Sequence, residues 1–380
     1  MKKIIIFYAS YGGGHLSAAK SIESYLKNNF NNLEVELIDC MKYINKTIER
    51  VSTTAYREIA KKAPWAWGKI YFDSQKGPLA HISTKANRVM AIKLLRLLRK
   101  EKPDLIISTH PFGSQMCSYL KRKQKISAEI ATIMTDFKSH DQWLVGSDFV
   151  DYFFVSNDNM KKELIEKNIY SSKIFVTGIP ISNRFFLDFD KKQILDELGF
   201  TPDKKTILFF GGGEFGLGKT KTLEVLESLL QNFTNLQIIA ISGKNESMKA
   251  HFDELVHKYY PNNSVVTLEY TDKVPEFMAV SDLVITKPGG LTTTEAITSC
   301  VPMLLINPIP GQEEENADFL VNSKVAVWIK KHDDPTPVLT KILIDEDKLS
   351  DMKKNTFYLA KPNSAKIICE ILLNSEYNFK

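Results

Sequence analysis

The sequence is poor in everything that would mark a secreted, metal-stapled or membrane-spanning chain. Only four cysteines occur in 380 residues, Cys40, Cys117, Cys300 and Cys369, with no CxxC pair and no Cys/His metal spacing. Their scatter excludes a zinc module or a disulfide framework and fits a reducing cytoplasm. No stretch of about eighteen consecutive apolar residues occurs, so any membrane contact is expected to be peripheral. The short run IIIFYA at 4–9 meets glycines at once, which suits a buried strand rather than the core of a secretion signal. Charge of one sign is lacking too: 50 basic against 45 acidic residues leave a formal +5, too small an excess to argue for a nucleic-acid partner. No DxD-type metal pair stands out, so no obligatory metal cofactor is expected. What is present, 43% hydrophobic and 25% charged residues, is the composition of a globular protein. The length favours two domains.

Short apolar runs alternate with longer stretches of helical periodicity, the pattern of an α/β fold with parallel strands. In the first half, strands are expected near Lys3–Ala9, Val35–Asp39, Leu105–Thr109, Ile130–Thr135, Tyr152–Ser156 and Ile174–Thr177. The second series is Thr206–Phe210, Leu236–Ser242, Val265–Glu269, Leu283–Thr286, Met303–Ile306 and Ala326–Ile329. Helices fit between them at Ser17–Asn28, Thr220–Leu230 and Thr293–Ser299, and Ser364–Leu373 reads as a terminal helix. The polar stretch Asp188–Lys205 suggests the inter-domain connection. The expected organisation is therefore two Rossmann-like domains, 1–185 and 186–362, with a ligand cleft where the carboxyl ends of their strands face each other, and a helix in 363–380 returning toward the first domain.

Residues 41–100 break the alternation. They carry Trp65, Trp67, Tyr71 and Phe72, then the basic run Lys85–Lys102, in which Arg88, Lys93, Arg96, Arg99 and Lys100 alternate with Leu94, Leu95, Leu97 and Leu98. Such a helix suits an anionic bilayer, with the aromatics at headgroup level. It equally suits a crossover whose leucines pack on the sheet.

Three glycine turns carry the candidate chemistry. Tyr11-Gly12-Gly13-Gly14-His15 follows a strand and opens a helix, where free N–H groups meet an anion or polar oxygen and His15 stands as base or donor. Gly213–Thr220 matches the GxxxxGK(S/T) pattern of a nucleoside-triphosphate P-loop. The same glycines also suit a turn approached by a diphosphate, in which Lys219 reaches no γ-phosphate. The third turn, Thr286-Lys287-Pro288-Gly289-Gly290-Leu291-Thr292-Thr293-Thr294-Glu295, ends a strand and starts a helix with threonines and a glutamate. Helix N-terminal amides and hydroxyls suit a pyrophosphate, and Glu295 suits ribose hydroxyls. The loop Pro308–Asn316 adds carboxylate, amide and backbone groups of the kind that read sugar hydroxyls.

Taken in order, these motifs resemble the monogalactosyldiacylglycerol synthase and processive diacylglycerol glucosyltransferase family, inverting enzymes of the GT-B fold in a glycosyltransferase family 28-like group. The resemblance covers nearly the whole chain: Ser10–His15, Thr135-Asp136-Phe137 with His140 and Trp143, Thr177–Ile181, Gly211–Gly218, Ser242-Gly243-Lys244-Asn245, Thr286–Glu295, and Pro310-Gly311-Gln312-Glu313 with Asn316. It implies an N-terminal domain that binds the acceptor and docks on the membrane, and a C-terminal domain that binds a UDP-sugar. Carried over by position, Glu295 holds the ribose, Thr292 and Thr293 help cradle the diphosphate with Lys287, Gly289 and Gly290, and Gln312 and Glu313 read the sugar. Gly243, Lys244, Tyr270 and Thr271 lie beside the uracil. Gly14, Gly178, Pro180, Gly212, Gly213, Phe215, Pro310, Gly311 and Asn316 complete the donor site, and Trp65, Trp67 and Trp143 fall in the acceptor and membrane region. Some plant members carry Asp at the position of Ser10, so this chain must assist its base in another way.

The resemblance implies transfer of glucose or galactose from UDP-glucose or UDP-galactose to the hydroxyl of diacylglycerol, giving a β-glycolipid. His15 or Asp136 assists deprotonation of that hydroxyl, with His140 as a further candidate. The expected setting is the cytoplasm, peripherally on the inner face of the cell membrane, against anionic lipid. Competing readings are a lipid II-type UDP-GlcNAc transferase, a P-loop ATP-dependent enzyme centred on Gly213–Thr220, and a sugar-nucleotide epimerase on the same scaffold.

Overall fold

The computed structural model describes residues 2–10, 12–76, 78–212, 218–259 and 264–373; the side chains of 48, 56–57, 60–61, 64, 67, 71, 74–76 and 78–88 lie outside that description. The chain divides into two compact units, Met1–Asn183 with Pro310–Gln312 and Lys361–Lys380 in the first, and Arg184–Ile309 with Glu313–Ala360 in the second.

In the first unit, β1 (Lys2–Tyr8), α1 (Gly14–Asn29) and β2 (Leu33–Asp39) lead into four successive helices, α2 (Cys40–Ile44), α3 (Lys46–Lys62), α4 (Pro64–Lys76) and α5 (Pro78–Glu101). Then come β3 (Leu105–Ser108), α6 (Pro111–Arg122), β4 (Glu129–Ile133), β5 (Tyr152–Val155), α7 (Asp158–Glu166) and β6 (Ile174–Val176). The second unit runs α8 (Lys191–Leu198), β7 (Lys205–Phe210), α9 (Lys219–Asn232), β8 (Leu236–Ile241), α10 (Glu246–Tyr259), β9 (Ser264–Leu268) and α11 (Val274–Ala279). It continues through β10 (Leu283–Thr286), α12 (Gly290–Thr298), β11 (Met303–Leu305), α13 (Gln312–Asn322), β12 (Ala326–Trp328), α14 (Pro335–Leu343) and α15 (Glu346–Leu359). The closing helix α16 (Ser364–Leu373) belongs to the first unit.

Each unit holds one six-stranded sheet, ordered β2-β1-β3-β4-β5-β6 in the first and β12-β11-β10-β7-β8-β9 in the second. Every pairing is parallel. Parallel strands covered by helices on both faces have no wet side, so Ile4, Ile5, Ile6 and Phe7 are all fully buried. Successive residues serve opposite layers. Ile5 and Phe7 share a core with Leu94 and Leu98 of α5 and Met116 of α6, whereas Ile4 and Ile6 share one with Ile22 and Leu26 of α1 and Ile368 and Leu372 of α16.

This layering separates the two readings of the basic helix. Leu94, Leu97 and Leu98 are core residues, so the leucines belong to a crossover packed on its own unit. The outer surface of α5 keeps Lys93, Arg96, Arg99 and Lys100 together with exposed Val89 and Ile92.

Candidate active site

In an open parallel sheet, ligands gather at the carboxyl ends of strands where the order reverses, because the loops there part in opposite directions. In the first unit that point lies between β1 and β3. The turn after β1 delivers His15 into the first helical turn of α1, whose start at Gly14 has no side-chain cap. His15 Nδ1 lies 2.7 Å from the carbonyl of Thr109, just past β3. A carbonyl only accepts, so Nδ1 carries the hydrogen and Nε2 keeps the lone pair. The Thr135 hydroxyl stands 3.0 Å from the same Nδ1, and the Thr109 hydroxyl donates back to the His15 carbonyl at 2.8 Å. Burial disfavours the imidazolium and lowers His15 to about 4, so the ring is neutral at pH 7.

Two residues of this cluster escaped the sequence reading. Thr109 fixes the tautomer, and His110 meets the His15 ring edge-on with centroids 4.6 Å apart. His110 Nδ1 accepts from the Phe112 amide at 3.2 Å, capping α6, and burial holds its ring well below the ordinary histidine range. The available signal was Ser-Thr-His-Pro at a strand end, with the proline opening a helix.

Asp136, on the loop after β4, is 6% exposed. Within the first unit its Oδ2 accepts from the Gln312 side-chain amide, so the expected acid and the expected sugar reader share a hydrogen bond. His140 uses Nδ1 to accept from the Gln142 amide at 3.1 Å, which caps the short turn Asp141–Leu144. Trp143, expected at the acceptor and membrane, is only 3% exposed and lies in the core, so it has no face to offer a bilayer. Trp65 on α4 is 74% exposed; the side chain of Trp67 lies outside the described residues.

Just past the end of β1, Ser10 donates to Asp39 Oδ2 at 2.6 Å. Asp39 closes β2 and its Oδ1 accepts from the amides of Met41 and Lys42, 3.0 Å each. An acid thus reaches this turn from the neighbouring strand. Tyr11 lies outside the described residues.

Gly178 and Pro180 were expected at the donor, yet both are buried in the first unit. Gly178 has φ +83°, a Cβ there would stand 2.6 Å from Lys361 Cβ, and its carbonyl accepts from the Ser364 hydroxyl at 2.8 Å. That side of the glycine is taken by the segment entering α16.

In the second unit the reversal lies between β7 and β10. Gly211 follows β7 in a place where a Cβ would come within 2.8 Å of Phe252, and Gly212 takes φ 94°. Gly213 and Phe215 lie outside the described residues, so the P-loop match is described only from Gly218 onward, where Lys219 and Thr220 are exposed at the start of α9. After β10, Lys287 Nζ pairs with Glu313 Oε1 at 2.6 Å, and Glu313 Oε2 accepts from the Ile309 amide at 2.9 Å. Asn316 donates to the Pro288 carbonyl at 3.1 Å. Glu313 and Asn316 therefore tie the β10 and β11 loops together.

No side chain caps the first turn of α12, which leaves its amides open to an anion beside Gly289 and Gly290. Thr293 does not add its hydroxyl to them: it is fully buried and donates to the Gly289 carbonyl at 2.7 Å. Thr292 is the more accessible neighbour. Glu295 takes no hydrogen bond on its carboxylate among the described residues, and burial raises it to about 7. Beyond β8, Gly243 takes φ 66° and Lys244 Nζ sits 5.5 Å from the ring centre of exposed Tyr270, while the Thr271 hydroxyl accepts from the Lys273 amide at 3.1 Å. Pro310 and Gly311, the latter with φ 94°, lead into Gln312. Among the described residues no three His, Cys, Asp or Glu side chains gather as metal ligands would.

Residues 15–181 match the family model for monogalactosyldiacylglycerol (MGDG) synthase, and residues 206–368 match that for the glycosyltransferase family 28 C-terminal domain. The processive diacylglycerol beta-glucosyltransferase of Bacillus licheniformis is 31% identical over 380 residues, covering 99% of this chain and 96% of the relative. That of Staphylococcus epidermidis is 32% identical over 374 residues, covering 98% and 93%. Among solved structures, Acinetobacter baumannii MurG superposes with a TM-score of 0.67 at 15% identity, covering 98% of this chain and 99% of that one. The UDP-GlcNAc 2-epimerase of Neisseria meningitidis, bound to UDP-GlcNAc, gives 0.61 at 16% identity, covering 98% and 100%. At such identities these structures share the fold, GT-B.

Proposed function

The chain belongs to the monogalactosyldiacylglycerol synthase family, with its diacylglycerol glucosyltransferase members, and on that premise we propose that it moves glucose from UDP-glucose to the hydroxyl of diacylglycerol, forming a β-glycolipid. UDP-galactose is the competing donor. The observation that carries the chemistry is the bond from His15 Nδ1 to the Thr109 carbonyl, which leaves a basic Nε2 on a neutral ring.

The acceptor hydroxyl gives its proton to His15 Nε2 as its oxygen attacks the anomeric carbon. The bond from that carbon to the UDP oxygen breaks on the opposite face, so an α-linked donor yields a β-glycoside. The negative charge on the departing diphosphate is met by the open amides of α12 and by Lys287, whose position Glu313 fixes. Asp136, bonded to Gln312, orients the sugar end of the reaction. Glu295 accepts from the ribose hydroxyls, for which its unoccupied carboxylate is suited.

No described helix is long and apolar enough to cross a membrane. Peripheral docking on an anionic inner leaflet is supported by exposed Trp65 and Phe72 on α4 and Val89 and Ile92 on α5, beside Lys93, Arg96 and Arg99.

The deciding test supplies UDP-glucose and UDP-galactose separately to the purified chain with diacylglycerol in anionic liposomes and resolves lipid products by thin-layer chromatography. Glucolipid formation with UDP release is expected. Turnover that needs ATP, or UDP release that ignores diacylglycerol, would overturn the reading.

A further inference from the structure

We infer that Asn307 is a positioning residue for the donor, pinning the start of α9 to the loop that follows β11. The inference rests on the reading of the second unit as the UDP-sugar site. Asn307 holds φ 50°, the left-handed region, immediately before Pro308. A side chain there is strained, and such conformations persist where the surroundings over-determine them, often at ligand sites. Its Nδ2 donates to the Gly218 carbonyl at 3.1 Å and to the Thr222 hydroxyl at 2.9 Å.

The same Gly218 carbonyl accepts from the Thr222 amide at 3.0 Å, so Asn307 joins the first hydrogen bond of α9. Gly218 itself has φ 71°, and a Cβ on it would stand 2.0 Å from Asn307 Cγ. Only glycine fits against this amide. On the other side, Asn307 is two residues from Ile309, whose amide is held by the carboxylate that also holds Lys287. One side chain therefore joins Gly218, at the start of α9, to the loop whose Ile309 amide is held by the partner of Lys287. Without it, α9 and that loop keep their places in the fold but lose their mutual register.

Two variants separate positioning from plain stability. Asn307→Gly removes the amide but accepts the left-handed backbone without strain, a relief that offsets part of the lost hydrogen bonding, so thermal stability should change little. Asn307→Asp keeps the shape and places a carboxylate against the Gly218 carbonyl. Both are expected to weaken UDP binding by calorimetry and raise the KM for UDP-glucose about tenfold, the size of one or two lost hydrogen bonds, with the diacylglycerol KM unchanged. UDP binding as tight as wild type in both variants would refute the inference alone. A fall in stability of Asn307→Gly parallel to its loss of affinity would reduce Asn307 to a structural role and refute it as well. A wild-type chain that binds no UDP would remove the reading beneath it.

Discussion

At His15, one hydrogen bond to a backbone carbonyl decides which nitrogen is basic. Replacing His15 by Ala should lower kcat by about 10²–10⁴, the usual worth of general-base assistance, with little change in UDP affinity. Rapid-quench turnover measured beside calorimetry checks both halves, and near-wild-type kcat would dismiss His15 as the base. Because burial holds the ring at about 4, its protonation should cut kcat at saturating donor only near that pH and leave kcat intact from there to neutrality. Glu295 behaves in the opposite sense. Burial raises it to about 7, so the acid is neutral below that pH and loses the charge-assisted, two-oxygen acceptance that suits a pair of ribose hydroxyls. UDP affinity should therefore climb as pH rises through about 7. The terminal phosphate of UDP titrates nearby, so the diagnostic is the difference from Glu295→Gln, in which the steep part should flatten; equal slopes would remove Glu295 from the ribose. His15 and Glu295 stand out in the sequence as candidates because each follows a glycine turn at a strand end. Thr109, His110, Asp39 and Asn307 were not, since their roles arise only when parallel pairing sets β1 beside β2 and β3, and when the β11 loop meets α9.

Strands were the easiest elements to read, because a parallel strand buried on both faces is apolar at every position and stands out without periodicity. The six expected in each half all form; β2, β7 and β10 end where expected, and the other nine end a residue or two early where the chain leaves the ladder for the loops. Residues 41–100 were opaque for a related reason: α3, α4 and α5 alternate charge and hydrophobicity in a way that serves either a sheet or a bilayer, and only packing decides. Leu94 and Leu98 chose the sheet. The placing of Pro310–Gln312 with the first unit was hidden as well, for three residues leave no compositional trace. The turn at Gly178 offers a test at this scale. Gly178→Ala forces a Cβ at φ +83° toward Lys361, and strain plus overpacking should cost about 1–3 kcal/mol. Thermal unfolding should show that loss while UDP affinity stays put; weakened UDP binding at unchanged stability would instead support Gly178 at the donor site.

For the molecule as a whole, the acceptor's location sets the problem. Diacylglycerol lies in a bilayer, no described helix spans one, and a net charge of +5 is too small to hold a protein on a membrane by long-range attraction alone. The proposed peripheral docking would then rest on a local patch combining apolar area with basic side chains, and α4 and α5 are its candidates. Trp65 is exposed on α4, and the outward residues of α5 set Val89 and Ile92 among Lys93, Arg96 and Arg99. Each basic residue near an anionic surface contributes about 1 kcal/mol, screened within a Debye length, whereas a buried indole is indifferent to salt. The full chain should therefore sediment with phosphatidylglycerol vesicles and be released only partly by salt, while Trp65→Glu should abolish the salt-resistant fraction. The same variant should lose activity on vesicle diacylglycerol far more than on a detergent-dispersed short-chain acceptor, because its reaction centre is untouched. Equal losses on both acceptors, or vesicle binding unchanged by Trp65→Glu, would move the docking surface elsewhere on the molecule.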